Sequence, residues 1–177
     1  MERIWAPWRI EYVVSAGKGE CPFCVAARGE APDWAVLLEA EHAFIMTNAY
    51  PYNSGHLMVA PYRHVGRLEE LTSEELYAIA ELTRVCIVAI EKVMRAQGFN
   101  VGLNLGQVAG AGVAGHLHVH VVPRWAGDTN FMSVIADTRV VPEALQAAAQ
   151  RLRPALQEAA RQFKIAPRQG SGEGKRS

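Results

Sequence analysis

The sequence lacks an excess of charge of either sign, because 18 lysines and arginines balance 18 aspartates and glutamates in 177 residues. We therefore expect no broad basic surface for DNA or RNA and no reading of nucleic-acid sequence. It also lacks an apolar run near the roughly 20 residues that span a bilayer. The start, MERIWAPWRIEY, has no apolar core before a small-residue cleavage site. A cytoplasmic protein without a membrane span is expected.

Cysteine is also scarce, and three cysteines in a chain of this size do not make a disulfide scaffold. The glycine-rich stretch GQVAGAGVAG is not followed by the Lys-Ser/Thr pair of a P-loop. No carboxylate cluster of the kind that holds magnesium is evident. We expect no organic cofactor.

The pattern that is present is typical of a single α+β domain at residues 21–165, with an aromatic arm at 1–20 and a flexible tail at 166–177. Apolar segments predict an antiparallel sheet of about five strands with a long helix packed on it and a second helix at the C-terminus. The predicted strands are 36–39, 42–47, 56–61, 99–105 and 116–125. The predicted helices are Ser73 to about Gln97, with a Thr72/Glu75 capping box and Gly98 to end it, and about Pro142 to Phe163.

Three of the six histidines lie in one short stretch, GHLHVHVVPRW, between Gly115 and Trp125. In a strand, His116, His118 and His120 point to the same face, about 6.6 Å apart in sequence order and about 13 Å from end to end. Metal–nitrogen bonds are about 2.0 Å long, so the three cannot share one metal. The structural alternative is the polar side of a half-buried strand. The row is otherwise suited to an extended ligand such as a polyphosphate.

Imidazole suits phosphoryl chemistry because its ordinary pKa near 6.5 leaves it nucleophilic at neutral pH. Attack on phosphorus forms a phosphoramidate, which water, phosphate or another acceptor can discharge. The glycine loop before the row, with Gly110 and Gly112 among its members, allows close approach of backbone amides to a phosphate.

Cys21 and Cys24, in CPFC, have the spacing of metal ligands, and also that of a redox dithiol. A metal site needs two further ligands, for which His64 and His116 are candidates. Four such ligands would make a closed and therefore structural zinc site.

The string HLHVHVVPRW resembles the His-x-His-x-His signature of the histidine-triad (HIT) family. CPFC, MTNAYPYNSGHLMVAPYRH, LNLG and PRWAGDTNFM resemble further segments of that family, in the same order. The last of these, with the WAPWR arm, is similar to the branch that includes the diadenosine tetraphosphate phosphorylases and dinucleotide hydrolases. The resemblance implies a HIT-like fold and a nucleotide-binding enzyme that cleaves dinucleoside polyphosphates.

The resemblance also implies a role for each matching position. His118 is the expected nucleophile at the α-phosphate, through a nucleotidyl-histidine intermediate, with His120 supporting it. The expected nucleotide and phosphate contacts are Asn48, His56, Asn104 and His120, beside Gly110 and Gly112 of the loop. In zinc-bearing members the residues matching Cys21, Cys24, His64 and His116 hold the metal, and members are usually homodimers.

The sequence departs from the family pattern in the loop before the row. Relatives commonly carry Ser or Thr there to assist the leaving group, whereas this chain has Ala111 and Gly112. Three alternatives therefore stay open: a nucleoside phosphoramidase using the same histidine, a nucleotide-binding regulator with residual activity, and a redox dithiol protein.

Overall fold

The computed structural model describes residues 19–128 and 144–168, so most of the predicted arm and tail lie outside the described residues. Five strands form one antiparallel sheet in the order β1-β2-β3-β5-β4. The strands are β1 (Val36–Glu39), β2 (Ala43–Thr47), β3 (Leu57–Pro61), β4 (Gly98–Leu103) and β5 (Val119–Arg124). The helices are α1 (Pro22–Ala27), α2 (Ser73–Met94) and α3 (Leu145–Gln162), with short 3-10 turns at Leu68–Glu70 and Gln107–Ala109. The predicted α+β fold is confirmed.

The two faces of the sheet carry different apolar clusters, as the alternation of side chains along a strand requires. One face packs against α2 and α3 through residues that include Ile45, Leu57, Val59, Val119 and Val121. The opposite face packs against α1 through Phe23, Phe44, Met46, Met58 and Ala60. Because β5 lies between β3 and β4, His120 is paired with Met58 on one side and Gly102 on the other. His120 therefore lies on the α1 face.

Helix α2 begins as predicted, with a capping box in which Thr72 and Glu75 exchange side-chain to backbone hydrogen bonds. It ends earlier than predicted. Arg95 terminates it in the left-handed conformation (φ 54°), and Gly98 is already the first residue of β4. A non-glycine residue can adopt that conformation at a modest cost, so glycine is not required at a helix end. Cys86 is fully buried in this helix, and burial raises the pKa of its thiol.

The predicted strand at 116–125 is shorter in the structure, because β5 begins only at Val119. The Leu117 amide donates instead to the Val65 carbonyl (2.7 Å), which ties this segment to the chain after β3. The strand predicted at 99–105 begins at Gly98 and ends at Leu103. Helix α3 begins at Leu145, and Pro142 lies outside the described residues.

The first residues of the predicted tail dock on the domain. Pro167 forms a β-bridge with Ala40, and the Glu41 amide donates to the Ala166 carbonyl. Arg168 donates to the Ala27 carbonyl (2.9 Å) and to Glu39 (2.8 Å). Its guanidinium also lies 4.2 Å above the Tyr62 ring. These contacts cover the β1 edge of the sheet and hold the C-terminal end of α1.

None of the helices in the described part of the chain is long and apolar enough to cross a membrane.

Candidate active site

Four residues from three segments form a group of metal-ligand atoms. One ligand atom each of Cys21, Cys24, His64 and His116 lies within 4.8 Å of every other. Cys24 Sγ is 3.2 Å from His64 Nδ1 and 3.6 Å from His116 Nδ1, and Cys21 Sγ is 3.5 Å from His116 Nδ1. In tetrahedral zinc, bonds of about 2.3 Å to sulfur and about 2.0 Å to nitrogen place S and N about 3.6 Å apart. The donor set and its spacing therefore fit zinc.

The ring of His116 is oriented for this group by a backbone carbonyl. Its Nε2 lies 2.9 Å from the Pro61 carbonyl oxygen, which can only accept, so the proton is on Nε2. Nδ1 then carries the lone pair and faces the cysteines. His116 is fully buried, and burial lowers its pKa, which keeps the ring neutral as a metal ligand must be. Partial burial and the neighbouring Cys21 raise the pKa of Cys24, so the thiolate form needs a cation beside it.

Local structure brings the four residues together. Cys21 is the N-terminal cap of α1, a helix with proline at its first position, and this short helix was not predicted from the sequence. His64 follows Arg63, whose guanidinium binds Glu75 through two bonds (2.7 and 2.5 Å) and fixes the chain between β3 and α2. Gly115 lets the two segments approach, because a Cβ there would lie 3.0 Å from His64 Nε2.

The middle histidine, His118, is presented with a nucleophilic nitrogen. Its Nδ1 lies 2.8 Å from the His116 carbonyl oxygen, so Nδ1 carries the proton and Nε2 carries the lone pair. The side chain is buried, and burial lowers its pKa although the carbonyl acceptor partly offsets this. The ring is therefore neutral near pH 7. Of the three histidines in the row, His116 alone lies in the metal group.

His120 is linked to His56 on β3's N-terminal side. The Tyr52 amide donates to His56 Nδ1 (3.1 Å), so the proton of neutral His56 is on Nε2 and is donated to His120 Nδ1 (3.0 Å). His56 is 2 % exposed. Burial, together with His120 and His118 nearby, lowers its pKa to about 3. The Tyr52 ring stacks on His56 at 5.0 Å, and His120 meets His118 edge-on at 4.8 Å between ring centroids.

The remaining predicted contact residues surround these histidines in two loops. Asn48 Nδ2 lies 3.4 Å from His56 Nδ1, while its Oδ1 accepts from the Tyr50 amide. Asn104 donates to the Gly110 carbonyl (3.3 Å) and braces the glycine loop, of which Gly112 is a half-buried member. The amide of Gly110 donates to a carbonyl inside this loop. Phosphate binding by the loop stays a prediction.

Two contacting residues were missed by the sequence analysis. Phe23, between the cysteines of CPFC, stacks on His118, and only the packing of α1 on the sheet reveals this. Asp128 accepts two hydrogen bonds from Arg124 (2.5 and 2.8 Å) and one from Asn53 (3.0 Å). It thereby ties the loop before His56 to the end of β5. Its position in PRWAGDTNFM was the available signal.

The HIT domain model matches residues 28–127, more than half of the chain. The chain belongs to the HIT family. The predicted resemblance is thus confirmed, and the histidine row, the cysteine pair and the Asn48 loop are features of one HIT protein.

Relatives and solved structures agree with this assignment. The HIT protein is 41 % identical over 155 residues to AP-4-A phosphorylase of Mycobacterium tuberculosis, covering 82 % of this chain and 80 % of the relative. It is 41 % identical over 81 residues to the asymmetrical bis(5'-nucleosyl)-tetraphosphatase of Schizosaccharomyces pombe, covering 46 % of this chain and 44 % of that one. The crystal structure of a Zn-bound histidine triad family protein from Mycobacterium smegmatis matches with a TM-score of 0.67 and 28 % identity, over 81 % of this chain and 97 % of the other.

Proposed function

We propose that this HIT protein is an enzyme that cleaves dinucleoside polyphosphates such as diadenosine tetraphosphate, with His118 as the nucleophile. The observation that carries the proposal is the hydrogen bond from His118 Nδ1 to the His116 carbonyl (2.8 Å), which leaves the Nε2 lone pair available. Similarity to AP-4-A phosphorylase over 82 % of the chain supports the substrate class.

In the first step, the Nε2 lone pair forms a bond to the α-phosphorus. The bond from that phosphorus to the bridging oxygen breaks, and its electron pair leaves with the departing nucleoside polyphosphate. The Nδ1 proton stays on the ring, so the nucleotidyl-histidine is cationic and the His116 carbonyl stabilises it. In the second step, an oxygen of phosphate or water attacks the phosphorus, the electron pair of the P–N bond returns to Nε2, and the acceptor's proton goes to solvent.

The neighbouring residues would bind the substrate. His56 and His120 are placed to donate to phosphate oxygens, and the low pKa of His56 makes it a neutral donor at pH 7. Asn48 would hold the ribose hydroxyls, and Asn104 with Gly110 and Gly112 would lie along the departing phosphates. We infer a structural role for zinc at the Cys21 group: when bound, it would cross-link α1, the chain after β3 and the start of the histidine row.

The second candidate is a nucleotide-binding regulator with residual activity. Ala111, at the position where relatives carry a polar side chain, is 8 % exposed and offers no hydroxyl to a leaving group. A nucleoside phosphoramidase would use the same His118 on a P–N bond. Both are separated from the main proposal by the choice of substrate and by turnover.

The proposal is tested by a brief pulse of diadenosine polyphosphates of several lengths, or of a nucleoside phosphoramidate, followed by intact-mass analysis with and without phosphate. We expect an AMP adduct from the dinucleotides, and no adduct or turnover in His118→Ala. His42→Ala, at a side chain 42 % exposed and outside the site, is the control and should retain activity. Near-normal turnover in His118→Ala would contradict the covalent mechanism. Tight AMP binding without turnover on any substrate would favour the regulator.

We also propose that the protein is a cytoplasmic homodimer, as the family resemblance implies. Sedimentation of the purified protein tests the oligomeric state.

A further inference from the structure

We propose that Phe23 is a positioning residue for His118, holding the imidazole for in-line attack and favouring the cationic nucleotidyl-histidine. The inference rests on the proposed function, since it assigns a role in the same reaction. It concerns a side chain that lies between two predicted metal ligands but binds no metal itself.

The rings of Phe23 and His118 are stacked. Their centroids are 4.5 Å apart and their planes 28° apart, and Phe23 also lies 5.0 Å from the His116 ring. Phe23 is 2 % exposed and packs on the α1 face of the sheet. The contact is therefore a buried face-to-face contact, in the range where aromatic pairs attract each other.

The stack supplies a restraint that the hydrogen bond alone does not. Rotation about the second side-chain torsion of histidine is broad, so one hydrogen bond at Nδ1 leaves the ring plane free to tilt. Phe23 covers one face of the ring, and His120 meets it edge-on at 76°. With the His116 carbonyl at Nδ1, these contacts fix the direction of the Nε2 lone pair.

The stack also acts more strongly on the intermediate than on the free enzyme. Once Nε2 is bonded to phosphorus and Nδ1 keeps its proton, the ring of His118 is positively charged. The face of a phenyl ring carries partial negative charge and attracts a cation above it. An interaction that is stronger in the transition state raises kcat without tightening substrate binding. Leucine at position 23 would fill the space without this electrostatic component.

The structure also explains why Phe23 itself is held in place. It lies on α1, whose N-terminal cap is Cys21 and whose C-terminal carbonyl at Ala27 accepts from Arg168. The apolar side chains of Phe44 and Met58 belong to the same buried cluster. Phe44 provides a matched control, since it is equally buried but stacks on Tyr62 rather than on a histidine of the row.

The test compares Phe23→Leu with Phe44→Leu in the zinc-loaded, full-length protein, using diadenosine tetraphosphate as substrate. We expect Phe23→Leu to lower kcat about tenfold, or about 1.4 kcal/mol, with KM nearly unchanged. Phe44→Leu should lose comparable thermal stability but keep kcat within about twofold. Equal kcat losses in the two variants, or a loss confined to KM, would overturn the proposal.

A second measurement does not depend on turnover. In NMR spectra of histidine-labelled protein, the His118 ring protons should be shifted upfield by the Phe23 ring, with the signals identified by their loss in His118→Gln. The shift should disappear in Phe23→Leu and persist in Phe44→Leu; an unchanged His118 signal in Phe23→Leu overturns the contact. If the wild type shows the shift but no adduct, the proposed function fails and the Phe23 contact stands.

If Phe23→Leu does not fold, 3,4,5-trifluorophenylalanine at position 23 replaces it. That residue keeps the ring shape and weakens the negative charge of its face, so the same direction of change in kcat is expected. An unchanged kcat would overturn the electrostatic part of the proposal.

Discussion

The buried histidine His56 makes the stability of the fold depend on pH, and replacing it should remove that dependence. Its Nδ1 accepts from the Tyr52 amide and its Nε2 donates to His120, so a second proton has no place without breaking the Tyr52 bond. Burial lowers the pKa of His56 to about 3, against about 6.5 in an unfolded chain. The perturbation we propose is His56→Gln, which removes the titrating ring.

The sign follows from the number of protons bound in each state. Between pH 6.5 and pH 3 the unfolded chain takes up a proton at this position and the folded protein does not, so the free energy of unfolding falls as the pH falls. Above pH 6.5 the contribution is complete. Between pH 7.5 and 5.0, the unfolded histidine gains about 0.9 proton, which integrates to about 2 kcal/mol at 25 °C. That figure holds for any folded pKa well below 5, and the side chain is only 2 % exposed.

Urea unfolding at pH 7.5 and 5.0, with zinc content measured in each sample, provides the assay. The wild type should lose about 2 kcal/mol more than His56→Gln over this interval. His42→Gln, at an exposed side chain, gives the baseline for loss of one histidine. Equal pH dependence in His56→Gln and His42→Gln would refute the reasoning. A His56 ring that titrates near pH 6.5 by NMR would refute it as well.

Two further predictions concern the metal group. Cys24→Ser removes one of four ligand atoms, so the purified protein should lose its zinc by elemental analysis and unfold several degrees lower; Cys86→Ala, in the core under the sheet, should keep its zinc, and equal zinc in the two variants would contradict the site. Gly115→Ala places a Cβ 3.0 Å from His64 Nε2 and should weaken zinc binding about tenfold in a chelator competition, because ligand orientation controls metal affinity. Gly98→Ala, with open space around its Cβ, is the control; similar affinities in both alanine variants would show that this approach is not needed.

The fold was predictable in its elements but less so at their ends. The start of α2 was read correctly from Thr72 and Glu75, because a capping box is local chemistry. The end of α2 and the start of β5 were wrong by a few residues. Both boundaries depend on tertiary contacts, such as the bond from Leu117 to Val65, that outweigh local pattern.

The site could be predicted where residue type and spacing carry the chemistry. The four metal-ligand residues predicted from motif and resemblance do lie together. Phe23 was missed because a phenylalanine in CPFC has the same pattern whether it packs on a histidine or on any apolar side chain. Asp128 was missed as a contact because its partners, Arg124 and Asn53, lie on different segments.

The sequence by itself determined the chemical inventory of this HIT protein: a row of histidines on alternating positions, a cysteine pair, a glycine loop and the order of strands and helices. Only the tertiary structure decided what each histidine does, because hydrogen-bond partners fix the tautomers. Pro61 turns the lone pair of His116 toward the cysteines, and the His116 carbonyl turns that of His118 away from its own backbone. Three chemically identical side chains thereby acquire three environments, and distant segments supply them.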